Sequence, residues 1–250
     1  IMAAPVISLA PEVLFHVGSL GVTNTYVVAV VIVLVALLFG LAIKRHKAAA
    51  VPVGIQNVTE ALFDVWMDTI DSVTGDRKLS LKFFPLVVTV FLFVLFSNLI
   101  ELVPGLGTIG VYGMHNGHVA LIPFVRSASA DLNFTLAIAL IVMISTWVYG
   151  IKLIGAKSHL SKFFTLKGPI DAFVGILEFV GEFAKVISFS FRLFGNIFAG
   201  EVLLLVIAFL VPVIAGIPFL FLELFVGFVQ ALVFSMLALV FLKMASVAHH

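Results

Sequence analysis

From Val13 to Ile43 the chain carries no Asp, Glu, Lys or Arg, and equally bare runs extend from Phe83 to Ile100 and from Leu132 to Ile151. A helix of about 20 residues crosses an apolar layer of about 30 Å. Each run is long enough for one passage. The runs are continuous rather than alternating, so a β-barrel of short strands is excluded. Composition agrees: 62% of the residues are hydrophobic and 11% charged, with a mean hydropathy of +1.27. That leaves too little polar surface to face water all round. The expected fold class is an all-α integral membrane protein, a single membrane domain over residues 1–250.

Several functions fall away early. There is no cysteine, hence no disulfide framework, thiolate metal site or Cys nucleophile. No phosphate-cradling glycine loop and no His-Glu-x-x-His helix occurs, and basic residues do not interleave with aromatics as nucleic-acid binding requires. His115 and His118 are a lone pair, better explained by solvation than by a metal. Lys44 and Arg45 follow the first apolar stretch, the reverse of a secretory signal.

The pattern predicts helices over about 24–43, 83–103 and 131–153, with Pro85 in a first turn. Residues 54–75 differ. Ile55, Val58, Leu62, Val65, Trp66, Ile70 and Val73 recur at helical spacing opposite Glu60, Asp64, Asp68 and Asp71. This stretch is too charged to span and predicts an amphipathic helix lying on the membrane surface. Of 14 Lys and Arg, eleven stand at 44, 45, 47, 77, 78, 82, 152, 157, 162, 167 and 243. The positive-inside rule puts these in the cytoplasm, with the N-terminus and the Gly-rich stretch 104–129 outside and the C-terminus inside.

The last eighty residues carry the chemistry. Pro212, Gly216 and Pro218 interrupt the charge-free run Val202–Leu222, so two helices are expected, over about 169–210 and 218–246. Forty residues would extend about 60 Å, twice the apolar layer, which requires strong tilt or bending. Glu178, Glu182, Lys185, Arg192 and Asn196 fall on one stripe of that helix about 120° wide, with Glu201 opposite. Glu223 and Gln230 share a face of the next helix. Arg192 cannot shed its charge, and no carboxylate stands three or four residues away.

Ser190-Phe191-Arg192-Leu193-Phe194-Gly195-Asn196, followed by Ala199-Gly200-Glu201, resembles the signature of subunit a of the F-type ATP synthases. Ser97-Asn98-Leu99-Ile100-Glu101, Pro104-Gly105, Ala130-Asp131-Leu132-Asn133, Gln230-Ala231 and Met244-Ala245-Ser246 extend the likeness over nearly the whole chain. One departure stands out: Glu223 occupies a position where many bacterial members carry His.

The resemblance implies a non-catalytic, proton-translocating stator with no cofactor and no nucleotide site. It implies two offset half-channels and partners in the c-ring, the peripheral-stalk b-type subunits, the lipid bilayer and protons. Arg192 would face the rotor carboxylates, and Asn196 and Gln230 would take part in proton translocation. Glu201, Glu223 and Asp131 would lie on the outer path, Glu178 and Glu182 on the inner one. A bacterial inner membrane is expected, the mitochondrial inner membrane being the alternative. A sodium-translocating version of the subunit and a secondary transporter are the rival readings, although no internal repeat supports the second.

Overall fold

The structure is a computed structural model describing residues 10–45, 54–115, 118–161, 168–211 and 216–247. The elements are β1 (Val13–Val17), β2 (Leu20–Thr23), α1 (Asn24–Arg45), α2 (Ile55–Thr74), α3 (Arg77–Ile100), β3 (Gly110–His115), β4 (His118–Pro123), α4 (Leu132–Ile154), α5 (Ala156–Ser161), α6 (Pro169–Leu210) and α7 (Gly216–Ser246). Among the described residues, the five helices α1, α3, α4, α6 and α7 are long and apolar enough to cross a membrane. At 42 residues α6 extends about 63 Å.

Two compact units share these elements. The first comprises Ile1–Phe39, Leu92–Thr135 and Phe191–Leu232, the second Gly40–Phe91, Leu136–Ser190 and Val233–His250. In the first, Val94, Leu193, Ile197 and Ala231 form the core. Asn98, almost fully buried, donates to the Gly227 carbonyl at 3.0 Å and ties α3 to α7. In the second, the core is Met67, Ile70, Phe83, Val87, Phe234, Leu239 and Leu242. Phe189 of α6 stacks on Phe234 of α7 with centroids 3.7 Å apart. Lys185 of α6 lies over the Phe241 ring of α7. Within each unit, α6 and α7 therefore pack as a hairpin.

Four expectations need correction. Helix α3 begins at Arg77 and ends at Ile100, so Pro85 lies in its interior rather than its first turn. Asp76 is the reason for the early start: its Oδ1 accepts from Lys78 N–H at 3.0 Å, capping the helix where the first amides lack partners. Helix α7 begins at Gly216 and takes Pro218 into its first turn, where a missing N–H removes no bond. In α2 the stripe read as apolar divides: Trp66 and Ile70 are buried, together with Met67 outside the stripe, whereas Val58 and Val65 are about two-thirds exposed, at 66% and 65%. The helix thus has a packed face, a bare apolar face and an acidic face of Glu60, Asp64 and Asp68, the arrangement of a helix at a lipid surface.

The fourth is the pair of antiparallel hairpins, β1–β2 and β3–β4, lying within stretches expected to be charge-free run and loop. Gly18 at the first turn has φ of 64°, a left-handed conformation suited to tight hairpins. Gly110 pairs with Pro123, and a Cβ there would overlap the Ile122 carbonyl. Buried Asn24 opens α1 and donates to the Pro123 carbonyl at 3.2 Å, joining that helix to the second hairpin.

Candidate functional site

Polar side chains in α6 sit on both of its sides, and the packing sorts them. In the first unit, Leu193, Ile197 and Gly200 turn inward, while Phe191, Arg192, Gly195, Asn196 and Ala199 are exposed. Asn196 Nδ2 donates to Gln230 Oε1 of α7 at 2.6 Å. Gln230 is buried, and its Nε2 has no acceptor among the described residues. Arg192 stands one turn before Asn196. Among the described residues, no carboxylate forms an ion pair with Arg192. A guanidinium cannot be neutralised, so this charge calls for a counter-ion or water.

On the other side of α6 the first unit holds a carboxyl cluster. Glu201 is paired with Arg126: Nε reaches Oε1 at 3.0 Å, and Nη2 donates to Oε2 at 3.1 Å. Nη1 of Arg126 donates to the Ala10 carbonyl. Glu101, one residue beyond α3, accepts from Ser127 N–H at 3.0 Å. Burial and then the Glu201 charge push the Glu101 carboxyl up to about 8. Glu223 of α7 is buried, its carboxylate filling the space left by Gly200, where a Cβ would overlap it.

The sequence pattern does not single out Arg126, the one Lys or Arg in the stretch 104–129. It reaches Glu201 because residues 126–131 form a buried loop. Ser127 Oγ donates to the Ser97 carbonyl at 2.9 Å, and Ser129 N–H donates to Ser97 Oγ at 3.2 Å. Ala128 and Ala130, both fully buried, give the loop room to lie against its neighbours. The run Arg-Ser-Ala-Ser-Ala-Asp alternates small side chains with hydroxyls that satisfy the buried backbone.

Asp131 ends that loop as the cap of α4. Its Oδ1 accepts from Asn133 N–H at 2.9 Å and its Oδ2 from Thr25 Oγ1 at 3.0 Å. Both oxygens are engaged in holding α4 and α1. In the second unit, Glu182 accepts from Lys185 Nζ at 2.6 Å and from Trp147 Nε1 at 3.1 Å, while Glu178 is half-buried. The site residues thus assemble as Asn196 with Gln230, and Glu201 with Arg126 beside Glu101 and Glu223. Glu178 and Glu182 belong to the other unit. The side chains of His115 and His118 lie outside the described residues, and among the described residues no three His, Asp or Glu gather as a metal site.

A family model described as ATP synthase A chain matches residues 25–243. Curated relatives carrying the name ATP synthase subunit a agree. That of Campylobacter jejuni (strain 81-176) is 33% identical over 236 residues, 93% of this chain and 89% of the relative. That of Geobacter sulfurreducens is 31% identical, covering 94% and 91%, and that of Moorella thermoacetica 28%, covering 93% and 94%.

Proposed function

The chain belongs to the ATP synthase A chain family and is a non-catalytic, multi-pass membrane subunit of that complex, and from this premise we propose that it carries protons past Arg192. The observation that carries the proposal is the exposed guanidinium on α6, which forms no ion pair among the described residues and stands one turn from the Asn196–Gln230 bond. A charge within a membrane span costs about 2.5 to more than 10 kcal/mol unless it finds a counter-charge or water. A carboxylate presented by a neighbouring rotor subunit is the counter-ion that suits it.

Such pairing favours the ionised rotor carboxylate and so promotes proton release. The same fixed charge repels protons and keeps an outer path from joining an inner one. Glu201 and Glu223 then belong to the outer path, with Asp131 fixing the mouth of α4. Glu178 and Glu182 belong to the inner path, where Lys185 and Trp147 orient Glu182. Each proton falling through about 100 mV delivers about 2.3 kcal/mol, so several are summed for each ATP. The partners in this reading are the c-ring and the b-type peripheral stalk.

Orientation in a bacterial inner membrane follows the charge. The positive-inside rule assigns the eleven clustered Lys and Arg named above to the cytoplasmic side and the N-terminus to the outside. The test is Arg192→Lys in the assembled complex. Lysine keeps the charge but loses the planar donor fork, and its pKa can fall on burial. ATP synthesis in inverted vesicles under an imposed proton gradient should vanish while the c-ring still copurifies. Synthesis at the normal rate would remove Arg192 from this role.

A further inference from the structure

Helix α3 opens with positive charge at the end where a helix favours negative charge. Its first two turns hold Arg77, Lys78 and Lys82 and its first turn no acid, although a helix N-terminus already carries about half a positive charge. Asp76 offsets part of this from the cap, and Arg77 is committed to Asp71 of α2. Lys78 and Lys82 stand one turn apart on one face. Both are exposed, and neither forms an ion pair among the described residues. Tyr149 of α4 donates to the Lys82 carbonyl at 3.1 Å and meets the Phe83 ring edge-on, so the start of α3 lies beside the end of α4. That end carries Lys152, which is likewise exposed and without an ion pair among the described residues.

Along the same two faces the surface is aliphatic. Leu81, between the two lysines of α3, is 53% exposed. Ile144, Val148 and Ile151 share a face of α4 with Lys152 and are exposed as well. Cations at the edge of bare aliphatic side chains suit a ligand that is anionic at one end and hydrocarbon at the other. An acidic protein segment or a soluble phosphate would meet the lysines and leave the aliphatic flank uncovered.

We infer that the joined ends of α3 and α4 bind an anionic phospholipid, its headgroup phosphate held by Lys78, Lys82 and Lys152 and an acyl chain lying along Leu81, Val148 and Ile151. The flexible lysine stems rest on apolar surface while their ammonium groups reach headgroup level. Basic residues at the cytoplasmic ends of membrane helices draw anionic lipid in this way. The phosphate also answers the excess positive charge at the start of α3. The site needs only the two spans, and is independent of Arg192 and of the proton path. The orientation argued earlier places it in the cytoplasmic leaflet.

The test uses the whole complex in phosphatidylcholine vesicles doped with phosphatidylglycerol that carries a photoreactive group on an acyl chain near the headgroup. After illumination, labelled peptides are identified by mass spectrometry. Residues 78–82 and 148–152 should take label several-fold better from this probe than from phosphatidylcholine bearing the same chain. The excess should fade as the salt is raised to about 0.5 M. Each single Lys→Gln change should lower the apparent affinity for the probe about fivefold. The triple variant Lys78→Gln, Lys82→Gln, Lys152→Gln should label no better than with phosphatidylcholine, while arginine at the same three positions should retain the label.

The three side chains are exposed, so the variants should assemble, as copurified c-ring would show. Equal labelling by the two lipids overturns the site, as does labelling that ignores salt; both are read on the wild type and need no variant. Wild-type labelling of the triple glutamine variant overturns the role of the lysines. Displacement by inorganic phosphate beyond that caused by chloride at the same ionic strength would make the ligand a soluble anion and overturn the lipid. A cysteine at Lys78 labelled from outside would overturn the leaflet assigned here.

Discussion

Asn196 of α6 and Gln230 of α7 are joined amide to amide at 2.6 Å, and this bond stands one helical turn from the exposed Arg192. Gln230 gives its oxygen to Asn196 and keeps a buried Nε2 without an acceptor among the described residues. The pair fixes which face of α6 turns outward beside α7.

Breaking the pair should therefore weaken coupling as well as packing. Asn196→Ala and Gln230→Ala are each expected to reduce proton-driven ATP synthesis several-fold. A double-mutant cycle on thermal unfolding should return a coupling of about 1 kcal/mol. Additive losses would mean that the two amides act independently.

Asp131 gives a contrasting expectation. Asparagine retains an oxygen for capping, so Asp131→Asn should transport protons near the normal rate. Asp131→Ala should destabilise the chain by about 1 kcal/mol through loss of the cap, and further through the freed Thr25 hydroxyl. Vesicle proton pumping and a melting curve on the same preparations distinguish the cases. Loss of pumping in Asp131→Asn at full stability would make the charge itself essential.

The Glu101 shift has a definite sign. Its carboxyl is raised from 4.5 to about 8, so in that interval the folded chain retains a proton that the unfolded chain releases. Its contribution to stability is present in full below about 4.5 and is lost as the pH rises through about 8. The melting temperature of the purified complex should fall over this window, and Glu101→Gln should flatten the fall. An unchanged slope would assign the pH dependence to other groups.

Single cysteines at Lys78 and Lys157 should react with impermeant reagent from the cytoplasmic side only, and one at Phe15 from the outside only. Phe15 is 53% exposed in β1, so access is not limited by packing. Outside labelling of Lys157 would overturn the orientation.

Legibility in the sequence followed chemical contrast. In α1 and α4, apolar runs end at polar residues and announce themselves. The hairpins do not: in Val-Leu-Phe-His-Val only His16 is polar, so a period of two has nothing to alternate against. Asn116-Gly117 between β3 and β4 was the stronger turn signal, a dipeptide made for two-residue hairpins. Asp76 likewise marks the start of α3 ahead of basic residues that the hydropathy pattern excluded. At the site, an amide or guanidinium in an apolar helix is conspicuous in the sequence, whereas its partner is not. Arg126 and Glu201 are 75 residues apart, and no periodicity within one helix can relate a loop residue to a carboxylate on another element.

Gly200 and Glu223 carry a consequence for how the chain can change over generations. The missing methyl at Gly200 is the space that the Glu223 carboxylate occupies, so a side chain gained at 200 makes that carboxylate swing aside while 223 remains Glu. A shorter side chain at 223 removes the conflict in advance. Shortening 223 first leaves a void that a later substitution at 200 can fill. The two sites therefore have a favoured order of mutation, 223 before 200.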